Sequence, residues 1–424
     1  MRKLRSNEVF KPGSFPKYTY VSRKSSGFGF TYETRLKQAL NTPGYLTSII
    51  GPSKTGKTVL CEKVIEPQNM VSLTGSDFKN AKDFWEVVAN KVGLPLEGEY
   101  SETTVLKGTD NNPEDKSIST REKYGSNKDK VIEFFKENNL VLVLDDFHYA
   151  PEEVQLDIAY QLKDAIRREF KAVVISLPHR ADDAIRKNPD LSGRLNLINI
   201  EPWQEDELKE IAITGFEQLG IKISDELASK MALESLTSPQ LMQSICLNLS
   251  LILNIDEDES IKEINDEKKL EESYRFTTIN LPYQEVVKKL MAGPSTRGQE
   301  RKKYQLKNGE KADIYHILLK AIAQNPPVVS LSVDEMKERI NQLLIINSKE
   351  KIEKNKIRDS LQKLHDIMFS SEPIYQVFEW KDNQIFILDP LFLFFFKMGY
   401  LLIVKGDLYV NDSKRAGYSY KRNK

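Results

Sequence analysis

Eight consecutive residues, Gly51-Pro52-Ser53-Lys54-Thr55-Gly56-Lys57-Thr58, combine two glycines, a lysine and a hydroxyl at a spacing suited to phosphate. Gly51 and Gly56 let the backbone curl so that its N–H groups face inward. An apolar run, Leu46–Ile50, enters the loop, and a helical pattern follows from Thr58. The N-terminus of such a helix adds positive potential for an anion. Lys57 is therefore expected to reach the β- and γ-phosphates of ATP, and Thr58 to ligate Mg²⁺. Pro52, Ser53, Lys54, Thr55 and Val59 complete the expected nucleotide-binding set.

A second constellation is Leu140-Val141-Leu142-Val143-Leu144-Asp145-Asp146, a buried-type strand ending in two acids. Asp145 is placed to hold Mg²⁺, directly or through water, and Asp146 to orient or deprotonate an attacking water. ATP hydrolysis to ADP and phosphate is the reaction this pairing implies. Other chemistries find no support in spacing. His148, His179, His316 and His365 have no metal-ligand spacing, and Cys61 and Cys246 match no metal or redox pattern. No Gly-x-Ser-x-Gly elbow is present.

The elements that must position these residues alternate. Short apolar runs at Tyr45–Ile50, Met70–Leu73, Leu140–Leu144, Ala172–Leu177 and Leu195–Ile200 read as strands. Helical patterns over Tyr32–Leu40, Thr58–Ile65, Ala81–Val92, Lys128–Lys136 and Val154–Phe170 lie before and between them. That alternation predicts a mostly parallel sheet covered on both faces. Residues 1–44 form an N-terminal segment and 45–203 the core, with a polar insertion at 97–127. Residues 204–255 read as a helical lid, 256–309 as a charged linker and 405–424 as a tail. Within 310–404, three helices (Ala312–Gln324, Val333–Leu344, Glu350–Met368) precede two short strands, Ile374–Trp380 and Gln384–Leu388. An apolar helix after Asp389-Pro390 closes the segment. Three helices and a hairpin is the winged-helix order. The fold class is thus α/β: a P-loop NTPase parallel sheet with a helical lid and a C-terminal winged-helix domain.

Composition bounds the partners. Lys+Arg and Asp+Glu are both 62, so no overall basic excess announces nucleic acid. The longest apolar stretch, Leu391 to Ile403, is interrupted by Lys397 and is too short for a bilayer, which needs about 20 residues. With no signal-peptide pattern, the expectation is a cytoplasmic protein without membrane contact. DNA contact through 349–381 stays open. Lys351, Lys354, Lys356, Arg358 and Lys363 lie on the third helical pattern, but so do Glu350, Glu353, Asp359 and Asp366.

The loop and the acidic strand together resemble the AAA+ class, more closely its STAND and origin-recognition-like branches, over about residues 15–400. The resemblance implies weaker sites. It places a γ-phosphate sensor at Ser176 or Arg180. At Arg194 it places an arginine acting either on a neighbouring subunit's nucleotide or in cis. Thr237-Ser238-Pro239 occupies the place of a Gly-x-Pro lid motif, which makes Pro239 a nucleotide contact although Thr stands at the glycine position. The segment Tyr18–Arg23 resembles an adenine-cupping motif, with packing of a surface strand as the other reading. The resemblance also implies a slow ATP-driven switch, an ATP-dependent homo-oligomer, and a protein partner or effector in trans, in a setting such as bacterial defence. The alternative is a DNA-binding ATPase of the initiator or loader type. A scaffold that binds nucleotide without hydrolysis is a third reading, which the intact Lys57, Thr58, Asp145 and Asp146 oppose.

Overall fold

The computed structural model describes residues 4–27, 29–79, 83–94, 128–177, 191, 193–296, 298–325, 328, 330–345, 351–369 and 376–399. The expected insertion at 97–127, the tail at 405–424 and Arg180 lie outside them. The chain runs through α1 (Ser6–Val9), α2 (Tyr32–Leu40), β1 (Leu46–Ile50), α3 (Lys57–Val64), β2 (Met70–Thr74), α4 (Phe84–Lys91), α5 (Lys128–Glu137), β3 (Val141–Asp145), α6 (Glu152–Arg167), β4 (Lys171–Ser176) and β5 (Leu195–Asn199). It divides into two compact units. One comprises Lys24–Gly51 and Lys57–Ile200; the other comprises Met1–Arg23, Pro52–Gly56 and Glu201–Lys424.

The first of these units is built on a five-stranded parallel sheet in the order β2-β3-β4-β1-β5. Its strands alternate with period two. Leu142, Leu144, Ala172 and Val174 join Trp85, Phe135, Leu162 and Phe170 in one apolar layer. Val141, Val143, Val173 and Ile175 join Leu36, Ile49 and Cys61 in the layer opposite. Both faces are therefore covered, as continuous apolar runs require. Each such Leu or Ile taken from water contributes about 1.5–3 kcal/mol. All five residues of β1 are buried between β4 and β5. Helix α2 starts where Thr31 accepts from the Thr34 N–H, and it buries Tyr32, Leu36 and Ala39 and half-buries Leu40. Because the strands are parallel, their carboxyl ends share one edge, where ligands of open α/β sheets bind.

The second unit continues with α7 (Glu205–Gln218), β6 (Lys222–Ile223), α8 (Asp225–Glu234), α9 (Pro239–Ile252), β7 (Glu263–Ile264), α10 (Glu267–Ile279) and α11 (Gln284–Ala292). Its last part holds β8 (Tyr304–Gln305), β9 (Lys311–Ala312), α12 (Ile314–Ile322), β10 (Ser330–Ser332), α13 (Val333–Leu343), α14 (Lys354–Met368), β11 (Phe378–Lys381), β12 (Gln384–Ile387) and α15 (Pro390–Phe394). The stretch 256–309, expected as a charged linker, carries α10 and α11. Their charges face outward while Leu270, Tyr274, Val286, Val287 and Leu290 are buried. One apolar cluster runs from Trp203 to Phe396 and takes in Phe10 and Val21. Phe10 packs on the face of α7 at Gly215, where an added Cβ would lie 2.2 Å from the Phe10 ring.

The C-terminal segment has the expected helices plus a third strand. β10 pairs with β12, which pairs with β11, giving an antiparallel sheet. β10 escapes sequence reading because Ser330-Leu331-Ser332 shows a single apolar residue. The hairpin closes through Asp382 and Asn383, both at positive φ (52° and 59°), as a two-residue turn demands. Helix α14 starts at Lys354 behind Glu353, not at Glu350, so Lys351 lies off the helix expected to carry it. The run Leu391–Phe396 is buried and belongs to the core.

Candidate nucleotide-binding site

The loop leaves the carboxyl end of β1, and Asp145 ends β3 two strands away, with β4 between them. At roughly 4.8 Å per strand the two points are about 10 Å apart. The first turn of α3 spans that gap. Thr58 Oγ1 donates to Asp145 Oδ2 at 2.5 Å. Asp145 Oδ1 accepts from the backbone N–H of Asp146 at 2.8 Å. The hydroxyl and the carboxylate predicted to hold magnesium are thus brought together.

Lys57 opens α3 and is buried, and its ammonium donates to the Gly51 carbonyl at 3.0 Å. Burial pulls its pKa down to about 8, and the Asp145 and Asp146 carboxylates oppose that shift. Positive φ at Lys54 (60°) and Gly56 (89°) turns the loop, the geometry by which successive N–H groups form an anion cradle. Gly56 carries this strain at no steric cost, whereas Lys54 does not have that freedom. Thr55 Oγ1 braces the turn from within by donating to the Pro52 carbonyl at 2.9 Å.

Thr58 and Asp145 offer only hard oxygen donors. They fit Mg²⁺, which is usually held by one or two protein oxygens, the substrate phosphates and water. Among the described residues no group of three or more His, Cys, Asp or Glu is placed to hold a metal ion.

Asp146 is exposed and has φ 47°, the left-handed region that Asp tolerates better than most residues. This turn rests on a residue the sequence did not point to. Gly75, just beyond β2, lies so close that an added Cβ would meet the Asp146 carbonyl oxygen at 2.6 Å and the Ala150 nitrogen at 2.8 Å. Register explains the proximity: Thr74, the residue before it, pairs with Asp145. A lone glycine after a strand carries no signal of what its missing side chain makes room for.

Ser176 ends β4, pairs in register with Ile50, and accepts from the Gly51 N–H through its carbonyl at 3.4 Å. It is buried beside the root of the loop, where a γ-phosphate sensor is expected. Arg194 is elsewhere. Its carbonyl accepts from Leu46 N–H at 2.9 Å, and its guanidinium lies 3.8 Å from a Cβ built on Gly44. That is the amino end of β1, about 16 Å along the strand from Gly51. Pro239 is the first residue of α9, capped by Ser238, whose side chain accepts from Leu241 N–H. The preceding Thr237 has φ 63°, so the position where the resembled motif has glycine keeps a glycine-type conformation here.

In the segment Tyr18–Arg23, Thr19, Val21 and Arg23 are buried, and Tyr20 stacks on Phe15 with centroids 5.8 Å apart. Packing therefore accounts for most of that motif. Both cysteines are buried and free. No helix among the described residues is long and apolar enough to cross a membrane.

Residues 41–185 match the model of an AAA domain. No curated protein matches the chain. Among solved structures, the chain is similar to Cdc6p from Pyrobaculum aerophilum at 15% identity and a TM-score of 0.41, over 94% of this chain and 98% of that one. It is similar to a Walker-type ATPase of Pyrococcus abyssi at 14% identity and 0.45, over 85% and 93%. A third likeness is to the RuvB Holliday junction branch migration motor of Thermotoga maritima at 12% identity and 0.37, over 88% and 96%.

Proposed function

We propose that this protein binds ATP with Mg²⁺ and hydrolyses it slowly, as a switch whose nucleotide state governs self-assembly or the recruitment of a protein partner. The observation that carries this reading is the Thr58–Asp145 hydrogen bond at the mouth of the glycine-rich loop, with Lys57 beside it. The AAA-domain match over 41–185 supports it. Lys57 and the loop N–H groups bind and orient the phosphates, while Thr58 and Asp145 hold the metal. Bound there, Mg²⁺ offsets charge developing on the phosphates. Asp146, next along from Asp145, takes or orients a proton of the attacking water.

Ser176 serves as the γ-phosphate sensor from the end of β4, and Arg180 is its alternative. Arg194, remote from its own loop, acts on the nucleotide of another copy. Residues 204–255 act as the lid, with Pro239 as its candidate nucleotide contact, and 310–404 as a winged helix. Light scattering of the protein without nucleotide, with ADP and with a slowly hydrolysed ATP analogue tests this reading. Assembly with the analogue alone, lost in Lys57→Ala and in Arg194→Ala, supports it. A monomer in every state would remove the trans role of Arg194 and the assembly switch.

A DNA-binding ATPase is the second reading, because Lys356, Arg358 and Lys363 are exposed on α14. Local pairing disfavours it. Lys354 pairs with Asp334, Lys337 pairs with Glu353, and Asp359 and Asp366 are exposed on the same helix. Mixed-charge faces of this kind are usually solvated surface.

A further inference from the structure

From the geometry around Thr55 we infer that Trp203 is a positioning residue of the phosphate loop, holding one peptide of the cradle in its anion-binding orientation. The inference rests on the nucleotide reading above and goes beyond the loop's own motif. Trp203 is buried, and its indole Nε1–H donates to the Thr55 carbonyl at 2.9 Å. The Thr55–Gly56 peptide is planar and trans, so fixing its C=O in one direction fixes the Gly56 N–H in the opposite one. The bond from the indole therefore sets the direction of an N–H that the cradle presents to phosphate. Among the described residues, the Thr55 hydroxyl bonds within the loop, to the Pro52 carbonyl.

The indole is itself locked. The Arg23 guanidinium lies over the Trp203 ring at 4.6 Å, close enough for a cation–π contact. Arg23 is buried, and its donors are taken by groups flanking the tryptophan. Its Nε donates to the Glu207 carboxylate at 2.8 Å, one terminal nitrogen to the Glu201 carbonyl at 3.1 Å and the other to the Pro202 carbonyl at 3.0 Å. A lysine offers neither the planar face nor the fork that satisfies three acceptors at once. Glu207 lies in the first turn of α7. The N-terminal segment and the start of α7 thereby set the orientation of a loop peptide through one aromatic ring. Phosphate arriving in the cradle changes the field at the partner of that ring's N–H, so Trp203 also reports nucleotide binding in its emission.

The test uses the full chain and a slowly hydrolysed ATP analogue with Mg²⁺. Binding is measured by calorimetry, and tryptophan emission is recorded on wild type, Trp203→Phe, Arg23→Lys and Lys57→Ala. Phe keeps most of the apolar body and removes the donor. The expected result is a roughly three- to tenfold weaker Kd for Trp203→Phe, the size of one lost hydrogen bond. Trp85 and Trp380 add a background to the total emission, but the nucleotide-induced change of wild type should be largely abolished in this variant. Arg23→Lys is expected to weaken Kd in the same direction while keeping an emission change, and it carries the test if Trp203→Phe does not fold. Unchanged affinity and an unchanged emission response in Trp203→Phe, or unchanged affinity in Arg23→Lys, would overturn the inference. A wild type that binds no nucleotide, or a Lys57→Ala protein that binds as wild type does, would instead overturn the nucleotide reading itself.

Discussion

Replacing Gly75 by alanine perturbs the Asp145–Asp146 turn without touching an acid. The added Cβ would stand 2.6 Å from the Asp146 carbonyl oxygen, 2.8 Å from the Ala150 nitrogen and 3.0 Å from the Phe147 carbonyl oxygen. All three are backbone atoms, so no flexible side chain can give way. Comfortable contact for such a carbon begins at about 3.4 Å, which leaves the closest pair about 0.8 Å too near. β2 is hydrogen-bonded to β3 along its length, so the turn yields rather than the strand. Overpacking of this size costs about 1–3 kcal/mol of stability. Moving a catalytic group by most of an ångström costs up to about a hundredfold in rate. Gly75→Ala is therefore expected to lower kcat for ATP at least roughly tenfold while the Kd for Mg-ATP stays within about twofold, because Lys57 and Thr58 are not displaced. Phosphate release and calorimetry on the same preparations separate the two effects, and a denaturant melt confirms that the variant is folded. A folded variant that turns over at the wild-type rate would refute the placement of Asp146 in the hydrolytic step.

Asp145→Asn removes a charged metal partner and keeps the Thr58 contact; ATP affinity with Mg²⁺ is expected to fall about 10- to 100-fold, toward the metal-free value, as titration with and without the ion will read. Asp313 caps α12 by accepting from the Tyr315 and His316 N–H groups at 3.0 and 3.1 Å. Burial alone would raise its pKa, but hydrogen bonds from His316 and Arg301 pull it down to about 2. A carboxylate shifted down in the fold stabilises fully above its ordinary value and loses that contribution as pH falls through the lowered one. Asp313→Asn is thus expected to cost about 1–2 kcal/mol at pH 7, with the gap to wild type narrowing by pH 3 in urea melts; a constant gap would contradict the charge argument. For α14, gel shifts of duplex DNA are expected to show no binding that falls steeply with salt; a salt-dependent shift abolished by replacing Lys356, Arg358 and Lys363 with alanine would establish the DNA reading instead.

The parts of the molecule legible in sequence are those whose physics is local. The glycine-rich loop, the strand ending in Asp145 and Asp146, and the alternation of strand and helix each depend on neighbours in the chain. The five strands fall where short apolar runs placed them. What escaped depends on residues far apart in sequence. Gly75 matters because β2 lies in register with β3. Trp203 matters because its indole meets a loop 148 positions away. Arg194 precedes the fifth strand in sequence, and the pairing of Leu46 with Leu195 puts it at the strand end away from the loop. In α10 and α11 charged residues dominate the count, while a thin apolar stripe decides the packing.

The central claim is that Asp146 performs the hydrolytic step of a magnesium-dependent ATP site built on Lys57, Thr58 and Asp145. The most direct measurement is phosphate release together with Mg-ATP binding for wild type and Asp146→Asn. The expected result is slow but measurable turnover in wild type. In the variant, the Kd should stay within about twofold while release falls at least roughly a hundredfold. A wild type that fails to bind ATP, or a variant that turns over as fast as wild type, would contradict the claim.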